Sequence, residues 1–135
     1  RSSGTRNVVF LTGDIHTSWA NELTTQATGP DNPAAAEFVV ASVTSDNIND
    51  FLKLSPGNLL SLTGAGLIRA SNPHVRWTEL DGHGYSVLEL TPQRCRMDWY
   101  HLADRTRRDT TSRWVAGWSV AAGSSRLTRE YSPLP

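Results

Sequence analysis

The stretch Asn7–Trp19, NVVFLTGDIHTSW, decides the fold and carries the first candidate site. Its first half, Asn7–Thr12, is rich in β-branched and aromatic side chains and predicts a buried strand. Gly13 ends this strand, and Asp14 and His16 follow with one apolar residue between them. In layered α/β proteins, sites gather where loops leave the carboxyl ends of strands. A carboxylate oxygen and an imidazole nitrogen placed there suit a hard or borderline metal ion.

Two ligands do not complete a metal site, because such sites in proteins use about three to six. Considered alone, the pair is better explained by a turn aspartate that bonds its own backbone, followed by a surface histidine. The sequence contains no H-E-x-x-H motif, cysteine cluster, G-x-S-x-G elbow or glycine-rich phosphate loop. Asp14 and His16 therefore need support from elsewhere in the chain.

Hydrophobic runs on the carboxyl-terminal side of this stretch predict further strands. They are Glu37–Val43, His74–Leu80, Tyr85–Leu90, Arg94–Leu102 and Trp114–Val120. The first is apolar enough for burial on both faces, and the second alternates as an edge strand or a half-exposed strand does. Asp81–Gly84 predicts a hairpin, so that three consecutive strands form a meander. The segment Trp19–Thr24 fits either a strand or a helical turn.

Two short helices are predicted between the strands. Residues 45–47 (SDN) supply capping chemistry for a helix over Ile48–Leu54. Ser55–Pro56 predicts the start of a second helix, which ends near the glycines of segment 64–66. The remaining segments are predicted to be irregular: Thr25–Ala35, Asp104–Ser112 and Ala121–Pro135.

The composition describes one globular unit over residues 1–135, with 38% hydrophobic residues. Thirteen basic and 13 acidic residues give zero net charge, which argues against nucleic acid as a specific partner. Cys95 is the only cysteine, so no disulfide forms within the chain, and its setting predicts a packed thiol. No apolar run approaches the ~20 residues of a transmembrane segment. The polar start without methionine predicts that the chain is a piece of a larger protein.

The aromatic and histidine residues divide into packing and candidate binding positions. Trp19 follows the D-x-H loop, and His74 follows a rigid Asn-Pro turn, so both are candidate substrate-binding residues. His83 lies between glycines and is predicted to be exposed, whereas His101 is predicted to pack at a strand end. The other four tryptophans are predicted to pack in the core or on a sheet face.

Three stretches together carry a family resemblance: Val8–Leu23 (VVFLTGDIHTSWANEL), Glu37–Ser45 (EFVVASVTS) and Asn72–Tyr100. In this order they resemble the carboxyl-terminal portion of the PhoD-like alkaline phosphatases, which belong to the metallophosphoesterase superfamily. The chain is also similar to a metal-dependent phospholipase D branch of that family, found in actinomycetes. The resemblance implies an α/β fold, namely the β-rich carboxyl-terminal half of a four-layer αββα sandwich with a mixed sheet, a meander and two short helices.

The resemblance also implies a role for the D-x-H loop. Gly13–His16 matches the last metal motif of the family, with Asp14 and His16 as ligands of a two-metal centre. That centre is expected to hold Fe3+ with Ca2+, with Zn2+ or Mn2+ as alternatives. The other ligands are expected upstream, so an upstream chain or fragment of the same enzyme is an expected partner. A secreted or cell-envelope location is implied as well.

The expected activity is hydrolysis of phosphate mono- or diesters, with this chain supplying the last metal-binding loop. A second hypothesis is phospholipase D activity on choline phospholipids, in which Trp19 and the apolar region 48–62 border a mouth that accepts lipid. A third hypothesis, from another class, is a non-catalytic β-rich binding domain in which the D-x-H loop is an ordinary turn.

Overall fold

The computed structural model describes residues 4–25 and 31–135. These residues form eight strands, arranged in two four-stranded sheets, and two helices. The elements are β1 Val9–Thr12, β2 Ser18–Leu23, β3 Ala35–Val39, α1 Ile48–Phe51, α2 Leu59–Ser71, β4 Val75–Glu79, β5 Gly84–Leu90, β6 Arg94–Leu102, β7 Ser112–Ala121 and β8 Leu127–Glu130. Within this described part, neither helix has the length and apolar character needed to cross a membrane.

The first sheet, called the mixed sheet, has the strand order β1-β3-β2-β4. Strands β1 and β3 run parallel, and the other two pairs are antiparallel. The carboxyl ends of β1 and β3 therefore lie at the same edge of the sheet. The predicted mixed sheet is confirmed, as is the edge position of β4. Of the segment Trp19–Thr24, all residues except Thr24 belong to strand β2.

The second sheet, called the meander sheet, has the antiparallel order β5-β6-β7-β8. A meander is present as predicted, but the prediction of its members is wrong: the predicted meander began with β4, which lies in the mixed sheet, whereas the observed meander consists of β5 to β8. The prediction of an irregular tail over Ala121–Pro135 is wrong, because Leu127–Glu130 pairs with β7. A four-residue edge strand with two charged residues carries too little pattern to stand out.

The predicted hairpin at Asp81–Gly84 is wrong, because this segment connects β4 in one sheet with β5 in the other. Its glycines serve close approach rather than a tight turn. A Cβ on Gly82 would lie 1.9 Å from Nδ1 of His101, and one on Gly84 would lie 1.9 Å from the carbonyl oxygen of Tyr100. Only glycine fits at either position without displacing the neighbouring strand β6.

The first strand is shorter and more exposed than predicted. Phe10 and Leu11 are 46% and 54% exposed, because β1 pairs only with β3 within the described residues. Strand β3 also departs from the prediction of a buried strand over Glu37–Val43. It ends at Val39, and Val43 is exposed. Of the loop predicted over Thr25–Ala35, Ala35 belongs to β3 and residues 26–30 lie outside the described residues.

The helices confirm one predicted cap and correct the other. Asn47 caps α1: its side chain accepts hydrogen bonds from the N–H groups of Asn49 and Asp50, and Asp50 bonds back to the Asn47 N–H. The second helix does not start at Ser55–Pro56, because Asn58 caps it instead. It also continues through segment 64–66 to Ser71, where packing against β4 overrides the poor helix propensity of glycine.

The core lies between the two sheets. Trp99 is almost fully buried, and its ring centroid lies 5.6 Å from that of Phe38 and 5.0 Å from that of Trp77. Its Nε1 donates to the carbonyl oxygen of Val39 at 2.9 Å, which ties β6 to the end of β3. Cys95 belongs to the same buried cluster, so the predicted packed thiol is confirmed.

Candidate functional site

The topology brings two loops together at one edge of the mixed sheet. Loop 13–17 follows β1 and loop 40–47 follows β3, and these strands are parallel. The Val40 N–H donates to the Thr12 carbonyl oxygen at 3.0 Å, which holds the starts of both loops side by side. The two loops meet again where Nδ1 of His16 lies 2.6 Å from the carbonyl oxygen of Asp46.

This contact fixes the chemistry of the His16 ring. A carbonyl oxygen only accepts hydrogen bonds, so in the neutral imidazole Nδ1 carries the proton and donates it. The lone pair is then on Nε2, which faces away from that bond. Metal-binding histidines commonly show this arrangement, in which a backbone carbonyl holds the other ring nitrogen.

The backbone of loop 13–17 is unusual at both candidate ligands. Asp14 has a φ of 75° and His16 a φ of 56°, which places both in the left-handed region. Aspartate and histidine enter this region more readily than most residues, but it remains uncommon for any side chain other than glycine. Strained positions of this kind cluster at functional sites.

Asp14 is exposed. Within residues 4–25 and 31–135 its carboxylate makes no hydrogen bond or ion pair. The bond to its own backbone that an ordinary aspartate turn would use is therefore missing from the described structure. Three residues later the chain becomes buried, at Thr17 and Ser18. The loop thus exposes the Asp14 carboxylate to solvent, close to the buried residues at which the loop ends.

A polar network lies behind loop 40–47. Arg105, in the connection between β6 and β7, donates to the Thr44 carbonyl oxygen and to Oδ1 of Asp46 at 2.5 Å. The same guanidinium lies 3.2 Å from Oδ1 of Asp50. His83 completes the network, with Nε2 2.9 Å from Oδ2 of Asp50.

The network keeps Asp50 charged and corrects the prediction for His83. Burial alone would raise the pKa of the Asp50 carboxyl, but the Asn47 N–H, His83 and Arg105 lower it below its usual value. His83 is not exposed as predicted, because its side chain is only 11% accessible. The glycines around it allow the segment to pack closely instead of projecting outward.

His101 lies nearby and packs as predicted. Burial lowers its pKa to about 4, assisted by electrostatic interaction with Arg113. Its Nε2 lies 3.5 Å from Oε2 of Glu79. Because the ring is neutral at neutral pH, this contact is not an ion pair there, and no residue of the described structure bonds to Nε2.

Trp19 and His74 lie in one shallow cleft of about 350 Å³ on the outer face of the mixed sheet. Gly13 and Ile15 line the same cleft, so the cleft adjoins loop 13–17, but Asp14 and His16 do not line it. The Trp19 indole is fixed by a 2.6 Å hydrogen bond from Nε1 to Oγ1 of Thr17. The two candidate substrate residues are therefore neighbours of each other and of the loop.

No three histidine, cysteine, aspartate or glutamate side chains within the described residues cluster closely enough to hold a metal ion. Asp14 and His16 provide donors of the right chemistry, but only two of them. The sequence did not reveal Asp46 or Arg105. The capping pattern of 45–47 was a signal for the loop, whereas nothing in the local sequence links Arg105 to a loop 59 residues away.

Comparisons with known proteins agree on one family. The model of the PhoD-like phosphatase family matches residues 1–99. Alkaline phosphatase D of Bacillus subtilis (strain 168) is 30% identical over 100 residues, which make up 73% of this chain. A solved structure of PhoD superposes with a TM-score of 0.72 at 24% identity, covering 98% of this chain. The chain spans 15% of the length of the curated relative and 24% of the solved one.

Proposed function

The chain belongs to the PhoD-like phosphatase family, and on that premise we propose that it is the carboxyl-terminal portion of an enzyme that hydrolyses phosphate mono- or diesters with a two-metal centre. Residues 1–135 act as one unit, and Asp14 and His16 are their metal ligands. The remaining ligands come from upstream residues of the same enzyme. Fe3+ with Ca2+ suits these donors, and Zn2+ or Mn2+ would accept them too.

The observation that carries the proposal is the 2.6 Å contact between Nδ1 of His16 and the Asp46 carbonyl oxygen. It leaves the lone pair of Nε2 free to bind a metal ion, on a ring whose orientation is fixed. Asp14 precedes it with an unpaired carboxylate in the described structure, and both residues have left-handed φ angles. An ordinary surface turn would need neither the fixed ring nor two uncommon backbone conformations.

The chain's own residues divide the work of the site. When bound, two such ions supply an activated water and neutralise charge on the phosphate oxygens. Asp14 and Nε2 of His16 hold the metal, and the Asp46 carbonyl keeps the proton on Nδ1. Trp19 and His74, in the adjacent cleft, bind the ester and orient it.

The test replaces the two ligands in the full-length protein. We expect Asp14→Asn and His16→Gln each to lower both metal content and phosphate release by more than about 100-fold, the upper range for losing only an outer-shell partner. Metal content is counted by mass spectrometry and turnover is followed with a phosphomonoester and a phosphodiester. Asp109→Asn, at an exposed aspartate of the β6–β7 connection, is the matched control and should change neither.

Wild-type metal content and turnover in both ligand variants would contradict the proposal. That result would favour the hypothesis of a non-catalytic β-rich binding domain, in which the D-x-H loop is an ordinary turn.

A second candidate activity is phospholipase D action on choline phospholipids, close to the actinomycete branch of the family. One observation favours it: the α1–α2 region exposes a group of large apolar side chains, namely Ile48, Phe51, Leu52, Leu59, Leu60 and Leu62. Such a surface suits a mouth that accepts lipid. Choline release from phosphatidylcholine, compared with phosphate release from a matched monoester, separates the two activities. No preference for the diester would count against the lipase.

The same proposal gives this chain a partner and a location. The upstream part of the enzyme is expected to cover the exposed side of β1, where Phe10 and Leu11 are accessible. A secreted or cell-envelope location follows from the family resemblance. Fractionation of the source cells, with detection of the full-length protein, tests the location.

A further inference from the structure

We infer that Arg105 is a positioning residue for the metal ligand His16 and acts through the main chain of Asp46. The inference rests on the proposed function, because it assumes that His16 binds metal. Arg105 does not touch the metal or the substrate. It sets the place of the carbonyl oxygen that orients the His16 ring.

The geometry of Arg105 supports this role. Its guanidinium contacts three acceptors of the segment that carries this carbonyl: the Thr44 carbonyl oxygen, Oδ1 of Asp46 at 2.5 Å and Oδ1 of Asp50 at 3.2 Å. A planar fork of fixed donors can satisfy several acceptors at once, which the ammonium of lysine does less well. A connection of the meander sheet thereby contacts and holds a loop of the mixed sheet at the candidate site.

The loop is anchored on both sides of Asp46. Before it, Oγ of Ser42 accepts hydrogen bonds from the N–H groups of Thr44 and Ser45, at 3.3 and 2.8 Å. After it, the Asn47 N–H donates to Oδ2 of Asp50 at 2.9 Å. The Asp46 carbonyl shares one planar peptide unit with the Asn47 N–H, so the bond from this N–H to Asp50 also helps to place it. Arg105 contacts the carboxylates of both Asp46 and Asp50 and therefore supports the position of this carbonyl oxygen from both sides of the peptide.

Another arginine of the same connection, Arg107, serves as an internal comparison for Arg105. Arg107, two residues along, makes a bidentate pair with Asp109 at 3.1 and 2.9 Å. Both side chains are largely exposed, and the pair makes no contact with the mixed sheet in the described residues. The β6–β7 connection contains three arginines, Arg105, Arg107 and Arg108, of which Arg105 alone contacts the candidate site within the described residues.

The connection also keeps its shape without the Arg105 side chain. The Asp104 N–H donates to Oγ1 of Thr110 at 2.9 Å, and the Ala103 N–H donates to the Thr111 carbonyl oxygen at 2.9 Å. Loss of the guanidinium should therefore release loop 40–47 without unfolding the connection. This separates a positioning role from a general structural one.

The first experiment measures how firmly the full-length protein holds its metal. The readout is the chelator concentration that removes half of the bound metal, counted by mass spectrometry. We expect Arg105→Gln to lower that concentration by about 10–100-fold, the usual effect of losing an outer-shell partner. Arg107→Gln should leave it unchanged. Arg105→Lys, which keeps the charge but not the fork, should restore part of the loss.

The second readout is the tautomer of His16, observed by nitrogen NMR in the metal-free protein. The wild type and Arg107→Gln should show a proton on Nδ1 alone, whereas Arg105→Gln should show a mixture of the two tautomers. A merely structural role for Arg105 would not change this signature. Should Arg105→Gln fail to fold, Asp46→Asn decides: it keeps the backbone carbonyl, removes the charged partner of Arg105 and should move both readouts in the same direction.

The outcomes separate this inference from the function on which it rests. Wild-type metal retention in Arg105→Gln, together with metal loss in His16→Gln, overturns the role of Arg105 and leaves the proposed function standing. Equal losses in Arg105→Gln and Arg107→Gln also overturn it, because the charge of the connection would then be the cause. Wild-type metal content in His16→Gln overturns both.

Discussion

The two long sides of the β-sandwich differ in how completely they are closed. On the β4–β8 side, the Arg129 guanidinium lies 6.0 Å from the ring centroid of Trp77 and 5.3 Å from that of Trp118, and so bridges the two sheets. The Leu127 N–H also donates to the buried carboxylate of Glu22 at 2.8 Å. This side is closed by a cation–π bridge and by a hydrogen bond between strands of different sheets.

On the β1–β5 side, the sheets remain apart. Leu11, Leu88 and Leu90 are exposed and line an apolar cleft of about 340 Å³. Exposed apolar strands at open sheet edges are places where further protein is expected to bind. The difference indicates that stability within this chain comes from the closed side. The open side borders β1, the strand that carries the candidate site at its end.

The largest effect is expected on the closed side. Trp118 is only 8% exposed, and replacing it with alanine should lower the free energy of unfolding by about 3–5 kcal/mol, the usual cost of removing a large buried aromatic side chain. Leu90→Ala, at a side chain 75% exposed on the open side, should stay within about 0.5 kcal/mol of the wild type. Denaturant unfolding of the 135-residue chain measures both. Similar losses in the two variants would show that the sides do not differ.

The next effect concerns pH and the buried ring of His101. Its folded pKa of about 4 lies below the ordinary value of 6.5, so the unfolded chain takes up a proton more readily. The stability from the neutral ring is complete above pH 6.5 and is lost as pH falls toward 4. For these two pKa values, the loss between pH 7.5 and 5 is about 2 kcal/mol.

A variant separates the contribution of His101 to the pH dependence of stability from the contributions of other titrating groups. His101→Gln removes the titrating ring, so its stability should fall less steeply between pH 7.5 and 5 than that of the wild type. His74→Gln, at an exposed histidine, keeps the buried ring and should follow the wild type. The measurement is urea unfolding at several pH values. Parallel curves for wild type and His101→Gln would rule out His101 as the source.

Sequence patterns correctly predicted the elements that depend on contacts between residues close together in the chain. Alternating residues located β4 to β7, the Asn47 cap placed the start of α1, and the D-x-H loop was found at a strand end. What failed depends on contacts distant in sequence. Nothing within 81–84 specifies that the next strand joins another sheet, and α2 passes through its glycines because it packs on β4. Polar Leu127–Glu130 becomes a strand because β7 offers an edge.

The candidate site divides in the same way. Asp14 and His16 were identified from a short motif and from the resemblance that the family comparison confirms. The residues that hold His16 in place were not identified from the sequence, because their contacts join three loops that are distant in the chain: 13–17, 40–47 and the β6–β7 connection. Arg105 also lies beyond the residues 1–99 that the family model matches. A motif thus identifies candidate donor atoms, whereas the contacts that hold them in place are seen only in the folded chain.

The smallest effect within this chain is expected on the open side, and it tests the partner most directly. Leu11 is half exposed, so Leu11→Ser should lower the free energy of unfolding of the 135-residue chain by about 1 kcal/mol, roughly half the value of a fully buried leucine. If upstream residues cover β1 in the full-length protein, the same change should cost about 2–3 kcal/mol there. Thr128→Ala, at an exposed position of β8, should cost the same in both. An equal cost of Leu11→Ser in the two proteins would mean that nothing covers β1, and that the upstream ligands of the proposed metal centre approach Asp14 and His16 from another direction.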